Sequence, residues 1–231
     1  MSTPAVIDFH AHILPGADHG SSGIEETLIQ LDMIKNAGVD TVVATPHFYP
    51  NKDEVEDFIT RVKGSVEAIK EKEISRPSIC IGSEVLYCLN LERMDGLEKL
   101  CIRGTNILLL ELPMDDWDID VFETVEALLR RFTVVLVHVD RYIRYNEDEI
   151  HDFLQMGALA QINASSLFRL SKKRKIARIL ETGAVVAIGS DLHKTDYETY
   201  GQFKLAPKKL GAKYDEIMKS SAELLKGAQI I

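Results

Sequence analysis

The chain has 231 residues, 45% of them hydrophobic and 27% charged, enough to bury one substantial core, and a single domain over residues 1–231 is the simplest expectation. Its 36 acidic residues outnumber 27 basic ones for a net charge of -9, which argues against nucleic acid as the main partner. No apolar run approaches the roughly 18 residues of a membrane span. The opening Met1-Ser2-Thr3-Pro4 lacks the basic region of a signal peptide, so a cytoplasmic protein is expected. Cys80, Cys88 and Cys101 form an odd set without a Cys-x-x-Cys pair and read as reduced thiols.

In chain order, short β-branched runs predict seven strands: Ala5 to Phe9, Asp40 to Thr45, Ile79 to Val85, Ile107 to Glu111, Thr133 to Val137, Leu159 to Asn163 and Val185 to Ser190. Between them amphipathic spacing predicts helices over Gly23 to Asn36, Glu54 to Glu73, Asp95 to Leu100, Asp118 to Arg131, Asp148 to Met156 and Ser171 to Thr182, with a last one over Asp215 to Lys226. Ser22 followed by Glu25 has the spacing of a capping box, and Gly38, Gly157 and Gly183 stand where helices stop. The acidic run Asp115 to Asp120 precedes a helix, where negative charge suits the N-terminal dipole.

Alternation of β and α with strands too apolar for a wet face implies parallel strands covered by helices. The residues at or just past the strand ends are His10 and His12, His47, Glu84, Glu111, His138, Asn163, and Asp191 with His193. A closed parallel barrel brings all such ends to one rim, whereas an open sheet would spread them along a line, so a seven-stranded (β/α) barrel is expected.

Two i, i+2 pairs carry the chemistry. His10-Ala11-His12 and Asp191-Leu192-His193 each put two donors on one face of extended backbone, where they can grip one cation. Nitrogen and carboxylate donors without thiolate suit manganese, iron or zinc, and nine candidates exceed what one metal needs. Asp18, Glu84, Glu111 and Asp191 bring four negative charges, so three divalent cations would leave about two positive charges to meet a phosphate monoester of roughly -1.5 to -2. Such clusters favour hydrolysis, because a bridging water becomes hydroxide near neutral pH while the metals hold the phosphoryl oxygens. The cysteine-nucleophile phosphatase pattern is absent, and with no Gly-Lys dipeptide so is a P-loop.

The motifs Ile7-Asp8-Phe9-His10-Ala11-His12-Ile13-Leu14-Pro15-Gly16 with Asp18, Ala44-Thr45-Pro46-His47, Gly82-Ser83-Glu84, Leu110-Glu111-Leu112-Pro113, His138 with Arg141-Tyr142, Ala164-Ser165-Ser166-Leu167 and Gly189-Ser190-Asp191-Leu192-His193 occur in this order. In them the chain resembles the PHP-domain protein tyrosine phosphatases of bacterial capsule and exopolysaccharide systems, the CpsB/CapC type. The resemblance implies a distorted seven-stranded PHP barrel with three divalent metals, usually manganese. It implies His10, His12, Glu84 and Asp191 as ligands of the first metal, Glu84, Glu111 and His138 of the second, and Asp18, His47 and His193 of the third. It also implies that Arg141 grips the substrate phosphate, and that the substrate is phosphotyrosine on a partner tyrosine kinase.

Three positions depart from the family pattern. His19 follows Asp18 where the family often has a second Asp, Asp140 lies within the His138-to-Tyr142 segment, and Glu198 aligns with a second phosphate-binding Arg, with Lys194 nearby. His19 reads as a neutral rim residue. The run Lys172-Lys173-Arg174-Lys175 reads as a solvated first helical turn or as a docking rim for an acidic tail. The rival functions are a PHP phosphatase for a small metabolite such as histidinol phosphate, an amidohydrolase-type barrel, which usually needs eight strands, and a regulatory barrel that binds without turnover.

Overall fold

Every named strand pair is parallel in the computed structural model, which describes residues 4–72, 77–115 and 117–231. Met1 to Thr3, Glu73 at the end of the predicted second helix, and Asp116 of the acidic run lie outside the described residues. Among those described, β1 (Ile7–Ala11), β2 (Thr41–Ala44) and β4 (Ser78–Ile81) form one sheet in the order β1-β2-β4. The second sheet runs β3 (His47–Phe48), β5 (Glu84–Leu86), β6 (Ile107–Glu111), β7 (Thr133–Leu136), β8 (Leu159–Asn163) and β9 (Val185–Gly189).

Nine strands stand where seven runs are expected because the run Ile79 to Val85 is cut in two and the run Asp40 to Thr45 resumes as β3 past its expected end, both breaks falling at the same level. The chain passes from β2 to β3 through Thr45-Pro46, and from β4 to β5 through Gly82-Ser83. Proline has no N–H to give a ladder, and here the Pro46 carbonyl accepts from Glu84 N at 3.1 Å. A side chain at Gly82 would meet Ile102 Cγ1 at 3.0 Å, so the cut is tightly packed against Ile102 there. Thr45 N donates to Ala11 O and Gly82 N to Ala44 O, both at 2.9 Å, which carries the pairing across the cut. At the far edge Asp191 N donates to His10 O and His12 N to Leu192 O, each at 2.8 Å, and β1 thereby meets the end of β9.

The expected helices form as α1 (Ile24–Asn36), α2 (Val55–Lys70), α3 (Ile119–Leu129), α4 (Glu147–Gln155), α5 (Lys173–Glu181) and a terminal one (Ala212–Leu224), whereas Asp95 to Leu100 holds only a 3-10 turn, Leu97–Leu100. A helix over Tyr197–Leu210, here α6, is missing from the expected set, which makes the terminal helix α7. Gly201 and Pro207 mask α6 in the sequence. Asp196 caps it by accepting from Glu198 N at 2.9 Å, and Tyr200, Phe203 and Ala206 bury its inner face at helical spacing. The predicted capping box differs by one residue: Ser22 N and Oγ both donate to Glu26, at 2.9 and 2.7 Å, in place of Glu25.

Ile7, Phe9 and Ala11 pack on one side of β1, and by alternation Asp8 and His10 take the other, with His12 two residues on. All six are buried. Phe48 of β3 meets Phe58 of α2 edge-on, with ring centroids 5.2 Å apart, which fixes the helix behind His47.

Candidate metal centre

Glu84 is the hub of the centre. Its Oε2 lies 3.1 Å from His10 Nε2, 3.1 Å from His12 Nε2 and 3.1 Å from His47 Nδ1, and its Oε1 lies 2.7 Å from His138 Nε2. Glu84 starts β5 directly after the Gly82-Ser83 cut, and its carboxylate faces the histidines in and just past β1, in β3 and just past β7. Glu111, at the end of β6, sits 3.6 Å from His138 Nε2 and 3.9 Å from His47 Nδ1. Asp191 Oδ1 lies 3.8 Å from His10 Nε2, 3.7 Å from His12 Nε2 and 3.5 Å from His193 Nδ1. His193 Nε2 is 3.1 Å from His47 Nε2.

All nine predicted ligand positions therefore gather in one place, but Asp18 meets the cluster differently from the others. Its Oδ2 accepts from His12 Nδ1 at 2.7 Å and from His47 N at 2.9 Å, and its Oδ1 accepts from Gly20 N at 2.8 Å. This arrangement turns His12 Nε2 toward Glu84 and resembles the carboxylate–histidine pairing found behind many metal ligands. A side chain at Gly20 would come within 2.5 Å of His12 Cβ, so only glycine lets the loop close over it.

Several supporting residues escape a reading confined to strand ends. Asp8, two residues before His10, accepts from Ser190 N at 2.8 Å and His10 N at 3.3 Å, and Tyr200 of α6 donates its hydroxyl to Asp8 Oδ2 at 2.5 Å. Gln161, two before Asn163, accepts from His138 N at 2.6 Å and donates to Asn163 Oδ1 at 3.0 Å; Asn163 Nδ2 in turn donates to Asp191 Oδ2 at 2.9 Å. The parity that pairs His10 with His12 also marks both of them, one layer deeper. His138 and Asp191 hold left-handed backbone, with φ of 34° and 57°, a conformation that costs roughly 1–3 kcal/mol and that these bonds enforce.

Burial and neighbouring charge set the protonation states. His47 and His193 are driven down by burial, to about 3 and about 4, so both are neutral at pH 7. Burial also opposes charge on His12, but the bonds to Asp18 and Glu84 outweigh it and push the imidazole up to about 10. Burial and the Glu84 charge push Glu111 up to about 7. Glu84 itself is held well below the usual carboxylate range despite burial, because His10, His12 and His138 surround it.

Arg141 stands on the short turn after β7, its guanidinium paired with Asp191 Oδ2 and 3.8 Å from Glu111 Oε1. His19 is exposed and stacks on His47 with centroids 4.6 Å apart, a rim position as expected. Glu198 points to solvent and accepts from Gln202, and Lys194 is exposed. Two members of the basic run are engaged by the fold, whereas Lys173 and Arg174 are exposed. Lys172 donates to the Asp140 carbonyl at 2.6 Å and Lys175 to that of Ile143 at 2.7 Å, which braces the turn that carries Arg141.

The donor set fits divalent metals. His10 Nε2, His12 Nε2 and Glu84 Oε2 form a triangle with sides of 3.0, 3.1 and 3.1 Å. Two donors at right angles on one ion, each about 2.1 Å away, would stand about 3.0 Å apart. Buried His47 Nδ1 and Asp191 Oδ1 face the cluster with no hydrogen bond. Donor atoms group within 4.8 Å as His10, His12 and Asp191, as His12, His47 and His193, and as His47, Glu84 and Glu111. These overlap the implied ligand sets but put His12 in the place of Asp18, and His47 in the place of His138.

The family model for capsular polysaccharide synthesis, CpsB/CapC, matches residues 6–225. No curated protein matches the sequence. Among solved structures, one from the work on YwqE of Bacillus subtilis and CpsB of Streptococcus pneumoniae, metal-dependent tyrosine phosphatases, is 24% identical with a TM-score of 0.75, over 98% of this chain and 96% of that one. Histidinol phosphate phosphatase of Lactococcus lactis, solved with zinc, L-histidinol and phosphate, is 13% identical with a TM-score of 0.53, covering 90% of this chain and 94% of that one. The β-aspartyl dipeptidase of Fervidobacterium islandicum is 13% identical with a TM-score of 0.56, over 96% and 73% of the two chains. These likenesses show a shared α/β fold with parallel sheets. With a family model matched over almost its whole length, the chain belongs to the CpsB/CapC family.

Proposed function

We propose that the protein is a cytoplasmic metal-dependent phosphatase that removes phosphate from tyrosine on a partner protein, a bacterial tyrosine kinase of capsule or exopolysaccharide synthesis. The observation that carries this reading is the Glu84 hub, where four imidazoles meet one buried carboxylate with Arg141 at its open edge. Family membership and the likeness to the tyrosine phosphatases support the substrate class. The bonds that join β1 to the end of β9 support closure of the two sheets into the distorted seven-stranded barrel.

His10, His12, His47, Glu84, Glu111, His138, Asp191 and His193 would hold three divalent cations, manganese first, with iron or zinc as alternatives. Asp18 orients His12 from behind. When bound, the cations activate water and neutralise charge that develops on the phosphoryl oxygens. Arg141 offers a planar fork of donors to the phosphate, and the pair Asn163–Asp191 holds the neighbouring carboxylate in place. A phenolate leaving group, with a pKa of about 10, asks little of a general acid.

The test compares phosphate release by the manganese-loaded protein from a phosphotyrosine peptide, matched phosphoserine and phosphothreonine peptides, and histidinol phosphate. Turnover of the phosphotyrosine peptide at least about tenfold above the others in kcat/KM, abolished by chelator, is expected. Turnover of histidinol phosphate alone would move the protein to small-molecule chemistry. A metal-loaded protein inactive on every ester would be a binding barrel.

A further inference from the structure

A cleft of about 310 Å³ opens between the short turn Ala164–Phe168, α5 and the end of α6. Leu167, Ile176 and Leu180 give it an apolar floor. Around the floor stand Arg169, Lys173, Lys208 and Lys209, and the residues that line the cleft include no carboxylate. In a chain of net charge -9 this is a local reversal of sign. Lys209 lies over the Phe168 ring at 4.8 Å, whereas the side chains of Arg169, Lys173 and Lys208 have no ion-pair partner among the described residues. Leu170, 88% exposed, stands at the same edge.

The cleft is coupled to the centre by a short path. Ser166, in its lining, donates to Asn163 O at 2.7 Å, and the Asn163 side chain donates to Asp191. Lys172, next to Lys173, grips the turn that carries Arg141.

We propose that this cleft docks an acidic polypeptide segment bearing an apolar side chain, which flanks the phosphotyrosine of the protein substrate. The proposal deepens the phosphotyrosine reading and rests on it for the identity of the partner. Charge complementarity selects the occupant: unpaired cations ring a pocket of a volume suited to one or two apolar side chains. A nucleic acid would need a basic stripe longer than one cleft, and a bilayer would need a broad flat face.

The test uses the full chain and an unphosphorylated, fluorescein-labelled peptide of four Asp or Glu residues around one Leu, read by anisotropy. Binding should weaken about tenfold or more when salt rises from 50 to 200 mM, and at least tenfold in the double variant Lys173→Glu/Lys208→Glu. Ala177, exposed in the lining beside Ile176, gives a second variant, and Ala177→Trp, which occupies the cleft without changing charge, should weaken binding similarly. Replacing the peptide's Leu by Ser should also cost about tenfold. Because this arm needs no turnover, it stands apart from failure of the phosphatase reading.

In the kinetic arm, the acidic flank should lower KM for a phosphotyrosine peptide about tenfold against a Gly/Ser flank. Charge reversal should erase that difference and leave p-nitrophenyl phosphate turnover unchanged. Equal binding of acidic and neutral peptides, or binding unmoved by both the charge-reversal and the Ala177→Trp variants, overturns the proposal. So does preferential binding of anionic phospholipid vesicles or single-stranded RNA over the peptide.

Discussion

Replacing Asp18 by Asn keeps the shape of the side chain but changes what its two ends can do. Asp18 accepts three N–H bonds, one on Oδ1 from Gly20 and two on Oδ2 from His12 and His47. An amide has only one oxygen, so its NH2 must face at least one of those donors. A hydrogen bond to a charged group contributes about 1.5–3 kcal/mol, and the facing donors add repulsion, so a loss of about 2–4 kcal/mol is expected. For a chain of this size that lowers Tm by about 5–15 °C, measurable by calorimetry of the metal-free protein.

The sign of the pH dependence follows from the two shifts. Asp18 is depressed, burial notwithstanding, by its bond and charge contact with His12, so its contribution is present above about pH 4 and is lost as pH falls. His12 is raised to about 10, so its contribution is full below about pH 6.5 and is lost as pH rises through 10. The difference between wild type and Asp18→Asn should therefore be largest between about pH 4 and 6.5 and shrink toward pH 10. Metal affinity should fall about 10–100-fold with the number of bound metals unchanged. A variant that melts within about 1 °C of wild type and binds metal as tightly refutes the reasoning. Loss of one metal equivalent would instead make Asp18 a direct ligand.

Three further outcomes follow from the same geometry. Metal loading at pH 7 should release more than one proton, from His12, raised to about 10, and in part from Glu111, raised to about 7; calorimetry in buffers of different ionisation enthalpy counts them, and no release would contradict both shifts. Arg141→Lys exchanges a planar fork for a point charge and should raise KM for the phosphopeptide about tenfold at unchanged metal content, read by steady-state kinetics and metal analysis. Gly189→Ala would put a Cβ 2.6 Å from both His10 Cβ and Gln161 Nε2, so a loss of about 1–3 kcal/mol in denaturant melts and weaker metal binding are expected.

Much of the centre is legible in the sequence because its donors obey strand parity. His10 with His12 declares a shared face from the sequence alone. Asp191 and His193 instead lie past the end of β9, where Asp191 turns into left-handed backbone, so their i, i+2 spacing does not act through extended backbone as expected and the two join different donor groups. Asp8 and Gln161 obey the same parity, yet they sit one layer below the rim, where a polar residue on a strand is equally consistent with a satisfied core group. Tyr200 could not be found at all from local pattern, since its bond to Asp8 spans 192 residues and its helix carries Gly201 and Pro207. The roles of Lys172 and Lys175 were hidden for a related reason: their partners are backbone carbonyls of another segment, and a carbonyl has no signature in sequence. The cut through Pro46 and Gly82 was in plain view as residue types, but only the register shows that both breaks fall at one level.

Charge in the centre also sets an order of events. Arg141 pairs with Asp191 and faces Glu111, so its fork is turned onto carboxylates of the same site. With His12 protonated, its charge and that of Arg141 offset about half of the charge of the four carboxylates. Three divalent cations would displace the protons and outweigh the four carboxylates by about two charges, Arg141 aside, with the arginine no longer the main partner of Asp191. Phosphate should therefore bind to the loaded protein and scarcely to the metal-free one. Titration of inorganic phosphate by calorimetry, with and without manganese, reads this directly: a gain of at least about tenfold in affinity on loading is expected. Equal phosphate affinity in both states would mean that Arg141 is available from the start, and that the ion pair with Asp191 does not control it.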